Sequence, residues 1–261
     1  MAHVVALYRY PVKSFTPESC EALTVLDNGR VAGDRVLGVR FASTDAPDDA
    51  WSTKHGMLAL MNTPGLARLQ VRFHESDRIV RFSLEGVTIV EAGLDPEGRE
   101  RIGAALAEFA LAQEVNPLDG HPERLPLRVV GDGVTPRYHD NEQGEVTLHG
   151  RGSLQALGAA LGRVEVSELR FRSNIAVEGV APWGENEWIG RQVRVGTVQF
   201  EVARAKVRCL ATQANPETGR RDLPVLTTLT HAFRREQPTF AVALRPIDGG
   251  EVRLGDEVTV A

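Results

Sequence analysis

The sequence is poor in cysteine: Cys20 and Cys209 are the only two among 261 residues. Two thiols form at most one disulfide, and they cannot supply the four thiolates that an iron–sulfur cluster usually takes. The seven histidines show no H-x-x-x-H spacing, and the chain has no C-x-x-C pair. Closed zinc sites normally need such spacings. We therefore expect neither a resident iron–sulfur cluster nor a structural zinc ion.

Long hydrophobic runs and an excess of basic charge are also missing. The 30 basic and 35 acidic residues give a net charge of −5, so no bulk attraction to nucleic acid or anionic lipid is expected. No stretch approaches the ~18 consecutive apolar residues of a membrane helix. The opening MAHVVALYRYPVKS lacks the basic start of a signal peptide. We expect a cytoplasmic protein whose anion sites, where present, are built locally.

Short alternating strands with glycine-containing turns make up most of the chain. Residues 67–92 alternate apolar and polar side chains in three segments, which predicts a meander. Residues 191–207 predict a hairpin turning near Gly196, and residues 239–260 predict another turning at 248–250. This pattern is typical of antiparallel barrels and sandwiches.

Helices are few in the predicted fold. Apolar spacing predicts helices over 97–113, over 153–162 with Ser153 as the N-cap, and less strongly over 223–235. The segment 116–126 carries three prolines and a glycine, which is typical of a domain boundary. The expected fold is mainly β, with two β-barrel-like domains over 1–118 and 119–261 and a few helices.

Cys209 allows two interpretations. If the strand that contains Ala205 and Val207 continues, period two places Cys209 on the same apolar face, and free cysteine is commonly buried. If the strand ends at Arg208, Cys209 opens a turn, and the neighbouring guanidinium favours the thiolate, which attacks electrophiles or binds a soft metal. The local pattern leaves both open.

Two other polar clusters are candidates of lower specificity. Lys13 and Ser14 follow the proline that ends the first strand, and such a pair can hold a phosphate, although a solvated turn lysine fits as well. Arg172 and Asn174 lie two apart on a predicted strand and so share a face that could bind a planar heterocycle. Outward polar residues are common on strands, so this pair alone decides nothing.

The order of these pieces resembles the MOSC family of molybdenum-cofactor proteins. The motifs are LYRYPVKS, GDR, FRSNIAVEG, EWIG and VRCLATQANPETG, spread over nearly the whole chain. The most specific is R-C-x-x-T-x-x-x-P-x-T-G, formed by Arg208, Cys209, Thr212, Pro216, Thr218 and Gly219. The chain departs from the family in three places. Lys54 replaces an arginine, Ser173 replaces a proline, and no D-x-S-P segment precedes the predicted second helix.

The resemblance implies a molybdenum cofactor with Cys209 as the thiolate ligand of the metal and as the catalytic residue. It implies that the other members of the site bind the cofactor: Lys13, Ser14, Arg35, Lys54, Arg172, Asn174, Arg208 and Thr212. The implied reaction is reduction of small N-hydroxylated substrates, with electrons from a separate ferredoxin or flavoprotein. Two alternatives stay open: a carrier of sulfur or of the cofactor on Cys209, and a non-catalytic binding module.

Overall fold

The structure is a computed structural model that describes all 261 residues. It contains fifteen strands, three α-helices and several short 3-10 turns. The strands are β1 (Ala2–Arg9), β2 (Glu18–Cys20), β3 (Ala22–Val25), β4 (Gly38–Arg40), β5 (Leu69–His74), β6 (Ile79–Leu84), β7 (Val87–Gly93), β8 (Arg128–Val130), β9 (Val146–Gly150), β10 (Ile175–Glu178), β11 (Gln192–Val195), β12 (Val198–Val207), β13 (Thr239–Pro246), β14 (Gly250–Arg253) and β15 (Glu257–Val260). The helices are α1 (Pro96–Leu111), α2 (Arg151–Ala160) and α3 (Val225–His231).

Seven strands close into a barrel. Their order is β10-β9-β13-β12-β11-β15-β1, and β1 pairs back with β10 to complete the ring. Every pairing in the ring is antiparallel except that of β9 with β10. Alternate side chains such as Val193 and Val195 on β11 point into a core of 19 buried residues. The prediction of a mainly β fold is confirmed.

A second core of 25 buried residues lies beside the barrel. It is covered by the meander β5-β6-β7, by the pair β4-β8 and by α1. On β5 the side chains of Leu69, Val71 and Phe73 are buried while those between them are exposed, as the alternating sequence predicts. These strands form separate sheets of three and two and do not close into a ring.

Strand pairing crosses the predicted boundary at residue 118 in three places. β1 lies in the barrel between β15 and β10, β4 pairs with β8, and β3 pairs with β14. The first strand therefore packs into the core that the last hundred residues build. Segments from both ends of the chain consequently meet where the two cores adjoin.

The predicted hairpin at 248–250 is wrong. β13 pairs with β12 and β9, whereas β14 pairs with β3. The Asp-Gly-Gly sequence does turn the chain, but the partner of each strand is set by the apolar surface available to it. The predicted hairpin at Gly196 is confirmed by the pairing of β11 with β12.

The helices agree with prediction except in one cap. α1 begins after Asp95, whose carboxylate accepts a hydrogen bond from Gly98 N at 2.9 Å. α2 begins two residues before Ser153, so Ser153 is not its N-cap. Its hydroxyl instead donates to Glu185 in a buried hydrogen bond (2.8 Å) and accepts from Trp183 N (2.7 Å). No helix of this structure has the length and apolarity to span a membrane.

Candidate functional site

A pocket of about 830 Å³, open mouth included, lies between the barrel and the second core. Eight of the nine residues predicted from sequence line it: Lys13, Ser14, Arg35, Lys54, Arg172, Arg208, Cys209 and Thr212. They come from five separate segments of the chain, so the fold itself gathers them.

Cys209 lies just beyond the end of a barrel strand. β12 ends at Val207, and Cys209 has extended backbone angles (φ −125°, ψ −178°) before a 3-10 turn over Leu210–Gln213. Its carbonyl oxygen accepts hydrogen bonds from the backbone N of Thr212 (3.0 Å) and from its hydroxyl (2.9 Å). Cys209 is partly exposed in the pocket and belongs to no hydrophobic core cluster. The strand therefore does not carry it onto the apolar face.

Asn174 is the predicted residue that the structure does not bring to the pocket. Arg172 has a left-handed backbone (φ 53°, ψ 34°) and β10 begins only at residue 175, so the expected strand alternation does not apply. Arg172 faces the pocket, whereas Asn174 is fully buried. Its amide donates to Tyr8 O (3.2 Å) and accepts from Thr147 Oγ1 (3.2 Å). Asn174 ties β1 to β9 from inside.

Positive charge dominates the pocket lining. Seven basic residues face two acidic ones, Asp140 and Glu145, although the chain as a whole carries −5. The basic residues are Lys13, Arg35, Lys54, Arg170, Arg172, Lys206 and Arg208. A cluster of one sign between low-dielectric walls focuses the field and attracts ions of the other sign. The lining therefore has a local excess of basic residues in a protein that is acidic as a whole.

Several of these cations already have carboxylate partners. Lys13 Nζ donates to Asp140 (2.9 Å) and to Tyr138 O (2.9 Å), and Lys206 Nζ donates to Glu145 (2.8 Å). Burial lowers the pKa of Lys13, while the Lys13 ammonium holds the pKa of Asp140 well below its usual range. Arg35 is paired with Asp34, and Arg170 with Asp222 at 2.7 Å. These pairs leave little free charge for a ligand.

Arg172 and Arg208 have no carboxylate partner. Arg172 donates to Phe15 O, and Arg208 donates to Phe171 O. Arg172 Nη2 and Arg208 Nε are buried and have no hydrogen-bond partner. Burial lowers the pKa of each guanidinium to about 10, so both stay charged at neutral pH. A buried donor without an acceptor is costly, and an anion between these two groups would supply one.

Backbone strain concentrates at the same place. Nine residues other than glycine have positive φ, and three of them, Ser14 (φ 74°), Arg35 (φ 54°) and Arg172 (φ 53°), line the pocket. A left-handed conformation costs a residue with a Cβ roughly 1 kcal/mol, and such strain persists where the surroundings over-determine it. All three are residues that the sequence analysis assigned to the site.

Comparison with known families identifies the second half of the chain. The MOSC domain profile matches residues 135–259. This stretch, just under half of the chain, is a MOSC domain. The chain is 32% identical over 132 residues to the molybdenum cofactor sulfurase of Caenorhabditis elegans, covering 50% of this chain and 18% of that protein. It is 30% identical over 116 residues to mitochondrial amidoxime-reducing component 1 of Mus musculus, covering 41% of this chain and 33% of that protein.

The matched region thus spans a third or less of each of these curated relatives. Among solved structures, the YUAD protein of Bacillus subtilis aligns with 99% of this chain and 94% of its own, at 11% identity and a TM-score of 0.46. YiiM of Geobacillus stearothermophilus aligns with 44% of this chain and 53% of its own, at 12% identity and a TM-score of 0.34.

The MOSC domain alone does not complete the pocket. Seven of the lining residues precede the matched region: Lys13, Ser14, Arg35, Lys54, Ala59, Leu60 and Met61. Part of the positive charge therefore comes from the N-terminal segments that pack against the domain. A substitution at Lys13 or Arg35 acts on the same cavity as one at Cys209.

Sequence reasoning missed seven polar residues of the pocket, which are His139, Asp140, Asn141, Glu145, Thr147, Arg170 and Lys206. Lys206 had a visible signal, because it alternates with Arg208 in front of Cys209 on one strand. His139, Asp140 and Glu145 lie in the irregular segment before β9, where no periodicity marks them. Burial, with Arg35 nearby, lowers the pKa of His139 to about 3, so its ring is neutral. No group of three or more His, Cys, Asp or Glu side chains is arranged to hold a metal ion.

Proposed function

We propose that this pocket binds the molybdenum cofactor and that the protein is an oxidoreductase acting on small N-hydroxylated substrates of the amidoxime or N-hydroxy base type. The observation that carries the proposal is the meeting of one partly exposed thiol, Cys209, with two partly buried guanidinium groups that lack a carboxylate. A soft thiolate suits molybdenum, and paired arginines suit a phosphate. The name of one curated relative points to the same cofactor, and the name of the other points to amidoxime reduction.

The residues present fit such a ligand. The phosphate of the cofactor would take the free donors Arg172 Nη2 and Arg208 Nε, which have no partner within the protein. Lys54, which has no carboxylate partner, and the hydroxyl of Ser14 offer further donors. Cys209 would be the one protein sulfur on the metal. When bound, the cofactor supplies two-electron redox chemistry that no side chain of the pocket offers.

The other pocket residues hold this arrangement in place. The two hydrogen bonds from Thr212 fix the carbonyl of Cys209 and so its backbone direction. Glu145 accepts bonds from Lys206 (2.8 Å) and Arg204 (2.7 Å), which keeps these cations beside the pocket without adding their charge to it. Burial opposes ionisation of Glu145, but these cations hold its pKa below the usual range.

We further propose that electrons come from a separate donor protein, a ferredoxin or a flavoprotein. The two cysteines of the chain are apart, because Cys209 faces the pocket while Cys20 packs against the barrel core. Two thiols held apart in this way do not provide the four thiolates of an iron–sulfur cluster. Purified protein given NADH alone is therefore expected not to turn over, and turnover under those conditions would contradict this part of the proposal.

Metal analysis tests the cofactor, and the chain offers a matched control. The protein is expressed in a host that makes the pterin cofactor, and molybdenum per chain is measured for wild type, Cys209→Ala and Cys20→Ala. Near-stoichiometric molybdenum is expected in the wild type and in Cys20→Ala, and little in Cys209→Ala. Wild-type protein without molybdenum would refute the proposal.

Activity separates a catalyst from a carrier. Benzamidoxime reduction with a chemically reduced dye is measured on the molybdenum-loaded protein, with Cys209→Ala as the control. The similarity to molybdenum cofactor sulfurase favours a second candidate, a carrier that holds sulfur or the cofactor on Cys209. A cysteine persulfide is a reversible modification of that kind. Molybdenum binding without benzamidoxime reduction, or a stable persulfide on Cys209, would favour the carrier. A chain that binds no molybdenum and carries no persulfide on Cys209 would be a non-catalytic binding module.

A further inference from the structure

Tyr10 lies behind the pocket, with two of its arginines over the aromatic ring. The Cζ atom of Arg172 is 4.2 Å from the ring centroid, and that of Arg35 is 5.0 Å from it. Both distances are within the roughly 6 Å over which a cation is attracted to the face of an aromatic ring. Tyr10 is fully buried and is not one of the residues that line the pocket. It contacts the site only through the arginines.

The backbone ties the ring and the arginines into one unit. Tyr10 N donates to Asp34 Oδ1 (2.7 Å), and Tyr10 O accepts from Arg35 N (2.6 Å). Arg35 in turn donates to the carbonyl of Arg172 at 3.2 Å. Both arginines have left-handed backbones, at φ 54° and 53°. Strain at two charged residues that meet on one ring indicates that their placement matters.

The two arginines differ in how their charge is balanced. Arg35 is paired with the buried carboxylate of Asp34, whereas Arg172 has a carbonyl and the Tyr10 ring but no carboxylate. A carboxylate at position 10 would fix Arg172 equally well but would neutralise it. An aromatic ring attracts the guanidinium through its quadrupole and carries no net charge.

We propose that Tyr10 is a positioning residue, whose ring holds Arg172 and Arg35 toward the pocket while leaving the charge of Arg172 available to an anionic ligand. The inference rests on the proposed function in that the ligand is an anion bound in this pocket. Burial raises the pKa of the Tyr10 phenol, so the ring stays neutral at physiological pH. Its hydroxyl makes one long bond, 3.3 Å to Ser173 O, so the ring face is the part that acts.

The test lowers the electron density on the face of the ring at position 10 while keeping the shape of the ring. Full-length protein is made with phenylalanine, 4-fluorophenylalanine or 3,4,5-trifluorophenylalanine at position 10, because fluorine withdraws electron density from the face at little change in volume. Inorganic pyrophosphate is the probe, and its Kd is measured by calorimetry on cofactor-free protein at fixed ionic strength. The matched control carries the same fluorinated residues at Phe200, a fully buried barrel residue for which no cation contact is found.

Tyr10→Phe is expected to bind pyrophosphate like the wild type, and affinity should then fall stepwise with fluorination, by about tenfold for the trifluoro ring. The Phe200 series should leave the Kd unchanged. Equal Kd values across the position 10 series, or equal changes in both series, would overturn the inference. So would a wild-type chain that does not bind pyrophosphate. A wild-type chain that binds pyrophosphate in this graded way but never contains molybdenum would overturn the proposed function alone.

Discussion

Substitutions of two arginines, one within a short 3-10 turn (Glu168–Phe171) and one directly after it, are expected to change stability in opposite directions. Arg170 and Arg172 both lie at the pocket, two residues apart. Arg170 donates two bonds to the carboxylate of Asp222, at 2.7 and 2.9 Å, and one to Gln213 O at 3.0 Å. Arg172 has only the carbonyl of Phe15 and the ring of Tyr10. Replacing each by methionine keeps most of the apolar stem and removes the charge.

The magnitudes follow from these surroundings. A guanidinium whose pKa falls from 12.5 to about 10 on folding has its charged form disfavoured by roughly 3 kcal/mol. Arg172 is partly exposed to the pocket, and its variant leaves Phe15 O without a donor, so about 0–2 kcal/mol of added stability is expected for Arg172→Met. Arg170→Met strands a carboxylate that is one-third exposed, which is expected to cost about 2–3 kcal/mol.

Urea denaturation at pH 7 measures both variants, because urea leaves the ionic strength unchanged. Cofactor-free protein is used, with and without pyrophosphate. Pyrophosphate should stabilise the wild type through binding to the folded state, and it should stabilise Arg172→Met less. If Arg172→Met lowers the free energy of unfolding by more than about 1 kcal/mol without ligand, the reasoning is refuted. Such a loss would mean that the Arg172 charge is already balanced within the protein.

Two further predictions concern groups away from this pair. The pKa of His139 is about 3 in the folded protein because its ring is buried beside Arg35, so on acidification the unfolded chain binds the proton first. The free energy of unfolding should therefore fall by up to about 1.4 kcal/mol per pH unit below pH ~6.5, and this pH dependence should be absent from His139→Gln. If urea titrations give His139→Gln the same pH dependence as wild type, the prediction is wrong. Gly103→Ala should destabilise the protein, although alanine has the better helix propensity. The helix α1 packs closely on the segment before β8, and the added Cβ would lie 2.3 Å from Leu127 O. A raised Tm for this variant would show that the helix can shift.

The strands and helices could be predicted from sequence because their signals are local. Alternation on β5 to β7 sets which side chains are buried, and the apolar spacing over 97–113 places both ends of α1 within two residues. Closure of the barrel could not be predicted in this way. β1 joins strands that follow it by more than 140 residues, as in the pairing of Leu7 with Ile175. That pairing depends on which apolar surfaces remain to be covered.

The position of Cys209 likewise depends on contacts that are distant in the sequence. Its sequence neighbours place it on an apolar face only if the strand continues, and they do not show where the strand ends. Beyond Val207, Arg208 N still bonds to Pro238 O just before β13, and the chain then enters a 3-10 turn. Residue 238 is far from position 209 in the sequence, so no local pattern contains this information. Family resemblance assigned Cys209 to the site, whereas periodicity left it undecided.

The functional meaning of the basic residues depends on partners that the sequence does not reveal. Lys13 and Asp140 are separated by 127 positions, and Lys206 and Glu145 by 61. A count of cations at the pocket therefore overstates the charge a ligand would meet, because pairing with these carboxylates removes much of it. Lys54, Arg172 and Arg208 remain without a carboxylate partner, and the fold orients the two arginines with carbonyls and aromatic rings. An anion is the partner that such a pair lacks, and the thiol of Cys209 lies in the same cavity to meet whatever that anion carries.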